Sequence, residues 1–216
     1  THFLPFNKGF NGGAGKPPDL AEGKHRTAYL WEEVWDRDSW LDILGRFIHL
    51  QVQERRTDEG QTVKKEVMIF PRYHQLDAVR TLVDAAQTEG PGHNYLVEHS
   101  AGSGKSNTIA WLGHRLASLH DTADRKVFDS VVVISDRRVL DQQLQDTIYQ
   151  FDHKQGVVQK IDKDSRQLAE ALRSSVPVVI TTLQKFPFVT QQLVKIAEEE
   201  GKAADGILPK RRYAVI

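Results

Sequence analysis

The sequence lacks cysteine entirely, although it contains 216 residues. This absence excludes disulfide bonds and thiolate metal sites, and it is typical of a protein in the reducing cytoplasm. Long apolar runs are also missing, since none approaches the roughly 18 residues that a membrane-spanning helix needs. We therefore expect a cytoplasmic protein with no membrane partner.

The sequence also has no excess of positive or negative charge. The 29 Lys and Arg residues balance the 29 Asp and Glu residues, so the formal net charge is zero. Such a chain has no overall basic field to attract nucleic acid, and any contact with DNA must come from a local patch. The hydrophobic content of 39% is enough for the core of one full domain preceded by a lead-in.

Residues 1–60 are predicted to form a partly helical connector. Residues 1–28 are rich in glycine and proline and offer few apolar anchors. An amphipathic helix follows in the stretch RDSWLDILGRFI, with Ser39 as its expected N-cap. The apolar face of this helix consists of Trp40, Ile43, Leu44, Phe47 and Ile48. The polar passage at residues 53–66 is the candidate boundary between the connector and the domain that follows.

Residues 61–216 alternate between predicted strands and predicted helices. Apolar residues at helical spacing predict helices within 68–86, 109–119, 138–150 and 168–172. Short runs rich in β-branched residues predict strands at 94–99, 130–135, 176–182 and 211–216. This order predicts an α/β fold with a doubly wound parallel sheet. Because the last residues look like the start of a buried strand, we expect the domain to be truncated there.

A glycine-bearing loop lies between a predicted strand and a predicted helix in the stretch EHSAGSGKSNTIAWL, residues 98–112. A phosphate-binding loop has a glycine, four further residues and then Gly-Lys-Ser or Gly-Lys-Thr. Gly104, Lys105 and Ser106 match this ending, whereas His99 stands where the first glycine belongs. Small residues with Gly102 still permit backbone N–H groups to approach phosphate oxygens closely.

This loop is predicted to bind ATP and Mg²⁺. Lys105 is expected to meet the β- and γ-phosphates, and Ser106 to offer its hydroxyl to the metal, so these two are the candidate catalytic residues. The dipole of the following helix adds to the attraction. The predicted ATP-binding residues of the loop are Ser100, Ala101, Gly102, Ser103, Gly104, Lys105, Ser106 and Asn107. The alternative interpretation is a glycine-rich surface turn.

Gln75 is a further candidate for the nucleotide site, because it lies at the start of a predicted helix ahead of the loop. Its amide carries a donor and an acceptor side by side, which suits the N6 and N7 edge of adenine. We therefore count Gln75 among the predicted ATP-binding residues. A glutamine with no role beyond the protein surface is the alternative interpretation.

Two more loops follow predicted strands at their carboxyl ends, where open α/β sheets bind their ligands. Their side chains offer positive charge or hydroxyl and amide donors, which suit the backbone phosphates of DNA. The predicted DNA-binding residues are Asp136, Arg137, Arg138, Thr181, Thr182, Gln184 and Lys185. The alternative interpretations are a solvated basic turn for the first loop and a helix cap for the second.

Four motifs, PRYHQ, HSAGSGKS, VVVISDRRVLDQQ and VVITTLQKF, occur in this order and resemble the early motifs of superfamily 2 helicases and translocases. Together with YLWEEVW and DSWLDILGRFIHL upstream, they look like the restriction subunit of type I restriction-modification enzymes. The resemblance covers nearly the whole chain. It implies that residues 61–216 are a RecA-like first motor lobe, which uses ATP to translocate double-stranded DNA before a nuclease domain cuts it.

The resemblance also implies what accompanies this chain. The modification (methyltransferase) and specificity subunits of the restriction complex are the expected partners, and residues 1–60 are expected to follow a nuclease domain outside the chain. The family's Asp-Glu-x-His motif and second motor lobe are expected after Ile216, so the segment alone is expected to bind ATP with little hydrolysis. Two other interpretations are a different superfamily 2 helicase and a nucleotide-sensing module without turnover.

Overall fold

The computed structural model describes residues 23, 25, 27–56, 61–136, 144, 147–148, 157–201 and 211–216. The chain divides into two compact units, Thr1–Ala78 and Val79–Ile216. The division falls within one helix, α2 (Tyr73–Glu89). No helix among the described residues is both long enough and apolar enough to cross a bilayer.

The first unit contains a short π-helical turn at Leu30–Val34 and the helix α1 (Arg37–Arg46). The predicted N-cap Ser39 is wrong. The helix is capped by Asp36, whose carboxylate accepts the backbone N–H groups of Asp38 at 3.2 Å and Ser39 at 3.5 Å. A carboxylate accepts such bonds more strongly than a hydroxyl, so the acidic residue fixes the start of the helix.

A β-hairpin follows α1. Its strands β1 (His49–Arg56) and β2 (Thr62–Ile69) pair antiparallel, with His49 opposite Ile69 and Arg56 opposite Thr62. Most of the polar passage at 53–66, the candidate boundary, therefore belongs to this hairpin. Sequence patterns missed it because the alternation of apolar and polar residues does not continue along the strands: residues 53–56 and 64–66 are all polar or charged.

The second unit is built around a parallel sheet of four strands. The central strand β3 (Ser130–Ser135) lies between β5 (Val178–Thr182) and β6 (Tyr213–Val215), and β4 (Val158–Lys160) flanks β5. All three pairings are parallel, and every residue of β5 is buried. The β-branched runs SVVVIS and VPVVITT thus form the buried strands that the sequence predicts.

Helices lie on both faces of this sheet. Helix α3 (Lys105–Ala117) packs on the Val133 side, since a Cβ added at Gly113 would lie 3.9 Å from Val133 Cγ2. Helices α4 (Ser165–Arg173) and α5 (Val189–Glu199) pack on the opposite side. Their buried cluster with the sheet includes Val132, Val179, Leu168, Leu172, Leu193 and Ile196. Because successive strand residues point to opposite faces, the predicted doubly wound α/β fold is confirmed, and it is consistent with a RecA-like lobe.

The segment 94–99 is not the strand that the sequence predicts. It pairs with no strand in the described part of the chain, and Leu96 is 94% exposed. A β-branched or apolar run becomes a strand only where a neighbouring strand pairs with it, so composition alone does not decide. The predicted helix at 138–150 lies largely outside the described residues.

Candidate functional site

The predicted phosphate loop is curled rather than extended. Residues 101–103 form a turn, and the amide of Ser103 donates to the carbonyl of Ser100 over 3.3 Å. Gly102 and Gly104 both adopt left-handed backbone angles, with φ of +72° and +84°. Any other residue would be strained at these two positions, so glycine is required for this shape.

Helix α3 begins where this turn ends, at Lys105. Its N-cap is Gly104, which makes no side-chain cap, and the Gly104 carbonyl accepts the amides of Asn107 at 3.1 Å and Thr108 at 3.3 Å. The earliest N–H groups of a helix have no helical carbonyl to bond, and the helix dipole places positive potential there. The start of α3 therefore offers backbone donors to an anion.

Lys105 is exposed, and its Nζ donates to the carbonyl of Ser100 over 2.7 Å. The ammonium group thus lies over the turn instead of pointing away from it. A phosphate oxygen carries more negative charge than a carbonyl and makes a stronger hydrogen bond to an ammonium group. A phosphate bound in this loop would therefore compete effectively with Ser100 for Lys105. Ser106 and Asn107 follow on the first turn of α3, where both are partly buried.

The start of α3 lies toward the carboxyl end of the sheet. The amide of Val127, just before β3, donates to the carbonyl of Leu119, just after α3, over 2.9 Å. Gly113 lies beside Val133, farther along the strand. Helix and strand therefore run antiparallel, and the helix start at Lys105 lies beyond Val133 in the direction of the carboxyl end. Open α/β sheets bind their ligands at this end.

Gln75 lies at the third position of α2 and is 3% exposed. Its side-chain oxygen Oε1 accepts the backbone N–H of Arg72 over 2.9 Å. A glutamine at the third helical position that bonds back to the N-cap amide is one half of a capping box. Gln75 therefore caps α2 in this structure. Gln75 belongs to the first unit and the loop to the second, and its contact with adenine stays a prediction.

The two loops predicted to bind DNA come together at the carboxyl ends of β3 and β5. Ser135 and Thr182 are register partners at these ends, and the Nε2 of Gln184 donates to the carbonyl of Asp136 over 2.9 Å. Asp136 and Gln184 are both exposed. Arg137 and Arg138, also predicted to bind DNA, lie outside the described residues.

The other three residues predicted to bind DNA are less accessible. Thr181 is fully buried, and its hydroxyl has no hydrogen-bond partner among the described residues. Thr182 is 5% exposed. Lys185 is half-buried, and its Nζ donates to the carbonyl of Ile161. Their contacts with DNA stay predictions, and in this conformation the two threonine hydroxyls are covered.

Sequence reasoning missed the loop after β4, which contacts Lys185. The Oγ of Ser165 donates to the Lys185 carbonyl over 3.0 Å, and Asp164 caps α4 by accepting the amide of Gln167 over 2.9 Å. The signal was present, because an acidic residue followed three positions later by glutamine is a capping pattern. That pattern marks the start of α4 and so the position of this loop.

No group of three or more His, Asp or Glu side chains in the described part of the chain is placed to hold a metal ion. The contact of the Ser106 hydroxyl with Mg²⁺ stays a prediction. Mg²⁺ commonly binds through few protein groups together with phosphates and water.

A family model described as SWI2/SNF2 ATPase matches residues 74–207 of this chain. The match begins one residue before Gln75 and ends after Lys185. It thus contains the loop, helix α3 and every residue predicted to bind ATP or DNA.

The chain is also similar to the endonuclease subunits of type I restriction enzymes from Staphylococcus aureus strains COL, MSSA476 and MRSA252. Each is 29% identical to it over 133 residues. The aligned part is 62% of this chain but 13% of each relative, so the chain matches a small part of their length. Together with the family match, these relatives confirm the predicted resemblance to the restriction subunit.

Proposed function

This chain belongs to the SWI2/SNF2 ATPase family, and from that premise we propose that it is the ATP-binding part of the endonuclease subunit of a type I restriction enzyme. The complete protein hydrolyses ATP and uses the energy to translocate double-stranded DNA before cleavage. Residues 61–216 form the ATP-binding lobe and residues 1–60 the connector before it. The family match from residue 74 onward supports a lobe in this region.

The observation that carries this proposal is the turn that leads into α3. Two glycines with positive φ, Gly102 and Gly104, direct the chain into the first turn of the helix. Phosphates of ATP bind at the turn and first helical turn formed by residues 100–107, and Lys105 moves from the Ser100 carbonyl to the β- and γ-phosphates. Its charge then stabilises the negative charge of the phosphates, which is why Lys105 is proposed as catalytic.

Ser106 holds Mg²⁺ through its hydroxyl in this proposal, together with phosphate oxygens and water. Mg²⁺, when bound, offsets the negative charge that develops during transfer of the γ-phosphoryl group.

Gln75 selects adenine in this proposal while it continues to cap α2. Its Oε1 already accepts one hydrogen bond, from Arg72. In the proposed contact Oε1 accepts the N6 amino group of adenine and Nε2 donates to N7. Because Gln75 is 3% exposed, binding requires the residues that cover it to move.

DNA binds along the loops after β3 and β5. Arg137 and Arg138 supply the positive charge that phosphates attract, and the other predicted residues, Asp136, Thr181, Thr182, Gln184 and Lys185, lie at the carboxyl ends of β3 and β5 or just after them. Contact between Asp136 and Gln184 supports a single surface made from both loops. The modification and specificity subunits of the restriction complex are the proposed protein partners, and the cytoplasm is the proposed compartment.

Titration calorimetry of ATP and Mg²⁺ into the full-length protein tests the nucleotide site. Lys105→Ala removes a charged donor from the phosphates and should weaken ATP binding about 10- to 100-fold. The matched control is Lys195→Ala, which removes an exposed lysine from α5 and should leave the affinity unchanged. An affinity within about twofold of wild type for Lys105→Ala would contradict the assignment.

A further inference from the structure

Lys185 makes two hydrogen bonds to the segment that follows β4, one through its side chain and one through its backbone carbonyl. It belongs to the short 3-10 helix Leu183–Phe188 that follows β5. Its Nζ donates to the carbonyl of Ile161, the residue after β4, and its own carbonyl accepts the Oγ of Ser165 over 3.0 Å. The side chain is half-buried in this position. Lys185 therefore joins two loops at the carboxyl edge of the sheet.

The loop that receives Lys185 is itself fixed. The Oε1 of Gln167 accepts the amides of Asp162 at 3.1 Å and Lys163 at 3.0 Å, and its Nε2 donates to the carbonyl of Lys160 at 3.0 Å. Gln167, near the start of α4, thus bonds three of the four residues from Lys160 to Lys163, and Lys185 bonds the fourth, Ile161. Lys185 attaches the β5 loop to a segment that has little freedom to move.

Gln184 makes a similar hydrogen bond toward β3, which lies on the other side of β5 from β4. Its Nε2 donates to the Asp136 carbonyl after β3 over 2.9 Å. In the sheet, β5 lies between β4 and β3. Neighbouring residues of one loop therefore reach in opposite directions, Gln184 toward the loop after β3 and Lys185 toward the loop after β4. We call this set of contacts, made by Gln184, Lys185 and Ser165, the loop clamp.

The clamp changes the expected role of Lys185. Lys105 is exposed and can leave its backbone carbonyl for a phosphate, whereas the Lys185 side chain is half-buried and its ammonium group bonds the Ile161 carbonyl. Releasing it would leave the Ile161 carbonyl without that donor. We infer that Lys185 and Gln184 are positioning residues, which hold Asp136 at the end of β3 and the loops after β4 and β5 in fixed relative positions, and that Lys185 does not bind a DNA phosphate. This inference rests on the proposed function, because these loops belong to the proposed DNA surface.

Two measurements on the full-length protein test the clamp. Lys185→Met keeps most of the side-chain length and removes the ammonium group, and Lys195→Met on α5 is the control for a lost charge. Amide hydrogen exchange at residues 161–165 and 183–188 should become about tenfold faster in Lys185→Met and stay unchanged in Lys195→Met. The logarithmic salt slope of duplex DNA binding should stay at the wild-type value, since each lost phosphate contact lowers it by about 0.9.

Either of two results would overturn the inference: unchanged exchange in these segments, or a salt slope that is lower by about 0.9 in Lys185→Met. Ser165→Ala removes one bond of the clamp and no charge, so it should accelerate exchange in the same segments by a smaller factor. If Lys185→Met does not fold, Ser165→Ala decides the question by the same exchange measurement, and exchange at the wild-type rate would reject the clamp.

Failure of the proposed DNA surface would look different. The double variant Arg137→Ala/Arg138→Ala should lower both DNA affinity and the salt slope if these loops face DNA. If that variant binds DNA as wild type does, the proposed surface is wrong. The exchange rates around Ile161 and Lys185 still decide whether the clamp holds the loops.

Discussion

Replacing Gly102 with alanine isolates the backbone requirement of the phosphate loop. Gly102 has φ of +72°, and a Cβ built there has no heavy atom within 4 Å. Alanine therefore fits the available space, and its cost comes from the left-handed backbone alone, about 1–2 kcal/mol. If the loop has this shape when ATP is bound, the complex with ATP carries the whole strain energy of the alanine.

The cost of Gly102→Ala is divided between folding and binding. If the free protein keeps the loop shape, the free energy of unfolding falls and the ATP affinity does not change. If the free loop relaxes, unfolding is unaffected and ATP must restore the strained shape, so that binding weakens about 5- to 30-fold. In both cases the loss in unfolding free energy plus the loss in binding free energy should equal about 1–2 kcal/mol.

Urea unfolding of the Gly102→Ala variant measures the loss in unfolding free energy, and ATP titration of the same variant measures the loss in binding free energy. Gly113→Ala is the control, because its added Cβ would meet Val133 at an ordinary contact distance of 3.9 Å and Gly113 lies within helix α3. This control should be neutral or up to about 1 kcal/mol more stable, with unchanged ATP affinity. A combined loss below about 0.5 kcal/mol for Gly102→Ala would refute the requirement for a left-handed loop.

Two further predictions concern charged groups at the edge of the sheet. The backbone N–H of Arg212 donates to the Asp129 carboxylate over 2.8 Å and lowers its pKa, so this carboxylate stabilises the fold at neutral pH and the effect is lost as the pH falls below about 4. Urea unfolding should therefore separate wild type from Asp129→Asn at neutral pH and bring them together in acid, and a gap independent of pH would contradict this. Arg211 donates to the carbonyls of Leu172 at 2.6 Å and Arg173 at 2.7 Å, so Arg211→Met should lower the free energy of unfolding by about 1–2 kcal/mol. Arg211→Lys should recover less than half of that, because lysine lacks the forked donors, and full recovery would count against the two-bond arrangement.

The parts of the fold that sequence reasoning predicts correctly are those that depend on local residue types. The run SVVVIS is β-branched and buried in β3, and the apolar spacing after Lys105 gives α3. Gly102 and Gly104 likewise report a backbone shape that only glycine adopts easily. Each of these signals lies within a few residues of the feature that it predicts.

Sequence reasoning is less reliable where residues far apart in the chain determine the structure. The segment 94–99 has the composition of a strand, but a strand forms only where a neighbouring strand pairs with it, which composition does not report. The contacts of Lys185 with Ile161 and of Gln184 with Asp136 span 24 and 48 positions. The sequence alone suggests that such a basic or amide side chain can bind DNA, because it does not show the backbone carbonyl to which the side chain donates.

The parallel arrangement of the sheet has a consequence for synthesis of the chain. Val131 in β3 pairs with Val178 and Ala214. Translation at roughly 5–20 residues per second needs a few to about ten seconds to deliver the first of these partners. During that interval a short, uncharged, β-branched segment emerges with both edges bare, which is the kind of segment that nucleates aggregates. The yield of this protein in cells should therefore depend on chaperones that shield the nascent strand, whatever the stability of the finished domain.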